Sequence, residues 1–144
     1  MQPLIEYRLE LAGSETRALE LEGDGPPLLL LHGFADSADT WRRTLDRLAR
    51  RGRRALALDM PGFAAAGRLQ PGPVLPQLDA FALAAARHLA DETGATPVVA
   101  GNSLGGCVAL RLGERRDVEL AGVVPVAPAG FDHPGWFRII EASP

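Results

Sequence analysis

The sequence predicts an α/β fold: a mostly parallel sheet with an N-terminal antiparallel hairpin and helices on both faces. Charged and apolar residues first alternate with a period of two, over residues 4–22. Short uncharged apolar runs then follow one another, separated by segments of helical periodicity. Two-residue alternation marks a strand with one wet face, whereas a continuous apolar run marks a strand covered on both faces. A hairpin followed by strand–helix alternation is the pattern of an α/β sheet.

From Leu4 to Ala12, residues Ile5, Tyr7, Leu9 and Leu11 occupy alternate positions, and Gly13-Ser14 supplies a turn. Thr16 to Glu22 continues the alternation as a second strand. Gly23 to Pro27 reads as a break, and Leu28 to Leu31 as the first buried strand. Ser37 to Arg51 sets Trp41, Leu45 and Leu48 on one face of an amphipathic helix, with Asp36 and Asp39 at its start. Ala55 to Leu58 is a second buried strand. Arg68 to Pro76, with three prolines, reads as an irregular surface loop. Asp79 to Thr93 reads as a helix with Asp79 as N-cap and Gly94 as its stop. Pro97 to Ala100 is a short buried strand, Leu104 to Arg116 a helix, and Leu120 to Val126 the last strand.

Composition narrows the chemistry. The chain has 144 residues, 15 basic against 18 acidic, for a formal charge of −3. Every basic residue is arginine, so a P-loop lysine, a Schiff base and a Ser–Lys dyad are excluded. The mild acidity gives no footprint for nucleic acid or an anionic membrane surface. A single cysteine, Cys107, excludes an internal disulfide. No signal peptide or apolar run of about 20 residues is present, so the expectation is a cytoplasmic protein.

Gly101-Asn102-Ser103-Leu104-Gly105 stands between a predicted strand and a predicted helix. That is the order a nucleophile elbow requires, with Ser103 lifted above the sheet on a strained turn. Gly101 and Gly105 are small where strand and helix nearly collide, and the helix N-terminus points backbone N–H groups at charge developing near the hydroxyl. An oxyanion hole needs one N–H after the nucleophile, from Leu104, and a second from the loop after the first buried strand. His32-Gly33-Phe34 occupies that loop, and Phe34 is the natural donor, with Gly33 allowing close approach. His32 is a strand-end imidazole expected to bond the loop backbone. Cys107 reads as a small buried residue, His88 as a packing or surface residue, and Asp59 as a carboxylate holding its own loop.

These residues resemble the α/β-hydrolase superfamily, in its branch of small serine esterases, lipases and related acyl-transfer enzymes. His32-Gly33-Phe34 resembles the oxyanion motif, and Gly101 to Gly106 the elbow. Asp59-Met60-Pro61-Gly62-Phe63 resembles the D-x-P-G-x loop, with Ala64 where a glycine is usual. Branches with an aspartate nucleophile, such as epoxide hydrolases, carry Asp where Ser103 stands. The resemblance implies a small acyl substrate and no cofactor or metal. It divides the chain into residues 1–130, the N-terminal part of the core, and 131–144, the start of a truncated lid.

In the superfamily the acid and histidine follow the nucleophile on later strands. After Ser103 come only Glu114, Asp117, Glu119, Asp132, Glu141 and His133. The first three precede the last strand, which spans roughly 20 Å, and so sit at the far end from Ser103. Adjacent Asp132 and His133 make a poor acid–base pair and read as lid-entry residues. The chain is thus expected to lack its base. Alternative readings are a non-catalytic module, or a half-site completed by a second chain. The uncharged strand Leu120 to Val126 is expected to be an open edge that recruits a copy or a complementary chain, with Pro125 removing one donor.

Overall fold

The computed structural model describes residues 3–130. Six strands form one sheet in the order β1-β2-β4-β3-β5-β6. β1 (Ile5–Leu11) and β2 (Ser14–Leu21) are antiparallel, and β2 is antiparallel to β4 (Arg53–Leu58). β3 (Asp24–Leu31), β4, β5 (Val98–Asn102) and β6 (Gly122–Val126) run parallel. A short 3₁₀ helix, Ala38–Trp41, leads into α1 (Arg42–Ala49). α2 (Val74–Thr93) joins β4 to β5, and α3 (Leu104–Gly113) joins β5 to β6.

The buried strands serve two faces, as their unbroken apolar runs require. Leu29, Leu31, Leu56, Leu58 and Val99 face α2 and α3, where Leu78, Phe81, Leu89, Val108 and Leu112 cover them. Leu30, Ala55, Ala57 and Ala100 face the other way, toward Leu45 and Ala49 of α1.

Two expectations need correction. Asp79 is not an N-cap: α2 begins five residues earlier at Val74, with Pro73 as its N-cap, so the predicted loop ends sooner. Proline is tolerated in the first helical turn, where its missing N–H is not needed, so Pro76 does not stop the helix. Asp79 instead receives a forked bond from Arg111 of α3, at 2.6 and 3.0 Å. Likewise Gly23 to Pro27 is no clean break, because β3 already pairs with β4 at Asp24, through an irregularity ending at Leu28. Gly94 closes α2 in the left-handed conformation, φ 66°, as expected of a C-terminal glycine.

The parallel strands end together. His32, Asp59 and Ser103 follow directly on Leu31, Leu58 and Asn102. The chain leaves β3 toward α1 on one face and leaves β5 toward α3 on the other. Such a divergence opens a crevice at the carboxyl ends of the strands, where α/β proteins bind ligands.

Candidate active site

β5 delivers Asn102 into a turn that an ordinary residue resists. Ser103 has φ 51° and ψ −112°, outside the allowed basins of an L-residue, at a cost of about 1–3 kcal/mol. Backbone bonds on both sides hold it there. Its N–H donates to the Val126 carbonyl (3.0 Å), and its carbonyl accepts from Cys107 (3.0 Å) and Ala129 (2.9 Å). The glycines explain how strand and helix can pass so closely. A Cβ at Gly101 would lie 2.0 Å from the Gly105 carbonyl oxygen, and one at Gly105 would lie 2.3 Å from that of Leu31. Leu104 is the first residue of α3, so its N–H has no acceptor within the helix.

The β3 loop lies alongside. A Cβ on Gly33 would stand 3.5 Å from the Ser103 Cβ, which places the His32-Gly33-Phe34 backbone against the elbow. His32 is wholly buried. Its Nε2 accepts the Met60 N–H at 2.8 Å and its Nδ1 lies 2.7 Å from the Gly33 carbonyl. Those partners fix a neutral imidazole with the proton on Nδ1. Burial pushes its pKa down, against the opposing pull of the Gly33 carbonyl and the Asp59 charge. Both nitrogens are therefore committed to backbone. Phe34 is half exposed, and its ring meets Phe63 edge-on at 5.4 Å, while Phe63 also meets His32 at 5.6 Å.

Among the described residues, no imidazole or carboxylate bonds the Ser103 hydroxyl. His88 sits half-buried on α2. Cys107 is buried one turn into α3, where desolvation raises its thiol pKa and keeps it protonated. Asp117 pairs with Arg115 and Arg87 at the opposite end of the sheet. Asp132, His133 and Glu141 lie outside the described residues, as does the segment 131–144.

Residues 28–144 match the alpha/beta hydrolase family. The chain belongs to that family. Relatives of this alpha/beta hydrolase include the human "Putative protein-lysine deacylase ABHD14B", 39% identical over 107 residues. That match takes in 73% of this chain and 50% of the human one. The "Dihydrolipoyllysine-residue acetyltransferase component of acetoin cleaving system" of Pseudomonas putida is 33% identical, over 86% of this chain and 33% of its own. Among solved structures, a membrane phospholipase A described as a bacterial virulence factor superposes with a TM-score of 0.77 at 26% identity, over 94% of this chain and 44% of its own. The chain thus spans half or less of the length of the relatives it matches.

Ala64, where a glycine is usual, holds φ 47°, in the left-handed region that glycine enters without a Cβ penalty. The residue that reading the sequence undervalued is Asp59. It does hold its own loop, through the Ala65 N–H at 3.1 Å. It also accepts from Ala38 (2.7 Å), where the loop after β3 enters the 3₁₀ helix, and from Arg17 of β2 (3.0 Å). Nothing local announces contacts 21 and 42 residues away; the one available signal is an arginine on a strand whose neighbours turn inward.

Proposed function

We propose that this alpha/beta hydrolase carries the nucleophile half of a serine acyl hydrolase for small ester-like substrates. Ser103 Oγ attacks the acyl carbon, and the backbone N–H groups of Phe34 and Leu104 receive the negative charge that develops on its oxygen. The alcohol or amine then leaves, and water releases the acyl group. The observation that carries this is the strained backbone of Ser103 at the mouth of α3, with Gly33 packed against it. Strain of that kind persists where the surrounding structure over-determines it. Acyl chemistry also agrees with the deacylase and phospholipase names of two relatives. Epoxide opening, named for another relative, is disfavoured because the branches with an aspartate nucleophile carry Asp where this chain, by the resemblance of its motif, has Ser103.

The base that takes the Ser103 proton comes from outside residues 3–130, since both His32 nitrogens are committed. A serine without a paired base is a weak nucleophile, so the 144-residue chain alone should hydrolyse a short nitrophenyl ester slowly but above buffer. A fluorophosphonate should modify Ser103, and Ser103→Ala should abolish both signals. An adduct elsewhere, or a rate that survives the substitution, refutes the assignment; ordinary enzyme rates would place a base within the chain.

The exposed edge favours a second reading of how the site is completed. β6 has no charge, and Val124 and Val126 are 49% and 46% exposed. The Val126 carbonyl, in register with Asn102, accepts from Ser103 (3.0 Å), so by alternation Gly122, Val124 and Val126 face β5 and the donor missing at Pro125 is an outward one. Val123 keeps an outward donor, and the Val123 and Pro125 carbonyls face outward as acceptors, so a strand of a second copy or a complementary chain can pair with them. Sedimentation should show association of the chain that Val124→Lys reduces. A chain that is fully monomeric at tens of micromolar would remove this second reading.

A further inference from the structure

We infer that Asp59, fixed by Arg17, is the positioning residue of the oxyanion loop: one carboxylate ties that loop and the loop after β4 into a single body beside Ser103. The inference rests on the proposed function only for what the loop does; the tie itself is geometric.

Asp59 is fully buried at the end of β4. Each of its oxygens takes two donors. Oδ1 accepts the Ala38 N–H (2.7 Å) and Arg17 Nη2 (3.3 Å); Oδ2 accepts the Ala65 N–H (3.1 Å) and Arg17 Nε (3.0 Å). Its own backbone is held as well, with its N–H on the Arg17 carbonyl (3.1 Å) and its carbonyl on Thr16 Oγ1 (2.6 Å). Ala38 stands four residues after Phe34, and Ala65 two after Phe63. Two more ties join the same loops: the Met60 N–H to His32, and the Phe34–Phe63 ring contact. The ionised, four-coordinated carboxylate thus anchors the end of the oxyanion loop, at Ala38, to the second loop, at Ala65.

Only an ionised carboxylate does this. All four partners are donors, so an amide or a protonated acid at position 59 turns a donor toward a donor and releases one loop. Burial works to raise the Asp59 pKa; the Arg17 fork and the two N–H groups outweigh it and hold the carboxyl below its usual range. The groups facing it are Arg17 from β2, His32 from β3 and Asp39 from the 3₁₀ helix. Asp39 binds the far side of Arg17 at 2.6 Å, and Glu6 of β1 and Arg42 of α1 lie outside that pair.

The test follows backbone amides by NMR in the ¹⁵N-labelled 144-residue chain as pH is lowered. In Arg17→Gln the Ala38 and Ala65 amides should titrate with one midpoint, about 1–3 pH units above the unaltered chain, the range by which a neighbouring cation lowers a carboxyl pKa. The Phe34 amide should move with that same midpoint. Arg17→Lys, which keeps the charge without the fork, should fall between and covers the case in which the glutamine variant does not fold. Ala38 and Ala65 titrating while Phe34 stays still would overturn the inference, in either variant. Fluorophosphonate modification of Ser103 is read separately: if the three amides move together and Ser103 is never modified, the tie stands and the serine assignment falls.

Discussion

The two ends of the parallel strands treat polar groups in opposite ways. At the carboxyl end lie Thr16, His32 and Asp59, the three fully buried polar side chains among the described residues. Each bonds the backbone of a loop beside Ser103 or of the strand leading to it. At the amino end the polar groups keep some contact with water, including the half-covered Arg54–Glu20 pair at 2.6 Å. Arg115 and Asp117 pair there at 2.8 Å on the surface, with Arg87 adding a longer contact. A buried polar group costs free energy unless its partners are all present, whereas an exposed ion pair contributes little. The molecule therefore spends its buried polarity where loop backbone must be held, which is where the candidate chemistry sits.

Substitutions at the two ends can break that contrast. The largest effect should come from Gly105→Ala, whose Cβ would meet the Leu31 and His32 carbonyl oxygens at 2.3 and 2.5 Å. Both are backbone atoms that cannot swing aside. Denaturant unfolding should show a loss of about 3 kcal/mol or more. A loss below about 1 kcal/mol would mean the elbow is not pressed against β3.

Asp59→Asn should come next, at about 2–3 kcal/mol, because one loop N–H and the guanidinium of Arg17 lose their acceptor in a buried site. The same experiment would count against the tie if Asp59→Asn were as stable as the parent chain.

Acid should act chiefly on this end, since the lowered carboxylate at the other, Asp117, is a surface group. His32 has a lowered pKa because it is buried neutral, so its unfolded form binds the proton more readily. Its contribution is full above the unfolded value of about 6.5 and is lost as pH falls below it. Asp59, also lowered, contributes fully above about 4 and loses that contribution as pH falls further. Unfolding midpoints should thus decline from near pH 6.5 downward, with a second decline under pH 4. A flat profile between pH 7 and 5 would show that His32 is not held neutral.

The smallest effect belongs to the amino end. Asp117→Asn removes a surface carboxylate held low by the Arg115 side-chain bond. It should leave the melting midpoint where it was, in contrast to the identical substitution at position 59. A clear drop would mean that the amino end carries more than surface pairs.

What could be read along the chain was what neighbours in sequence decide. The elbow is a matter of five residues, since strand, small residue, serine, small residue and helix follow one another from Val98 to Gly113. The two faces of the sheet were equally legible, because Leu28 to Leu31 and Ala55 to Leu58 are apolar at every position. Asp79 shows the limit. Its type suits an N-cap, but whether Pro73 and Pro76 end a loop or begin a helix depends on what Leu75 and Leu78 can bury themselves against. That surface is made by β3, β4 and α3, which local sequence does not contain.

By itself, then, the sequence determined the α/β order of elements, the serine turn and the absence of lysine chemistry, all properties of short segments or of composition. Only the tertiary structure decided that Gly33 lies against Ser103, that His32 is spent on Met60 and Gly33, and that Arg17 reaches Asp59. Those contacts join residues 70, 28 and 42 positions apart, brought together because β3 lies between β4 and β5, and β2 beyond β4. Strand order is set by burying both faces of the sheet at once, a condition on the whole chain that no single segment can express.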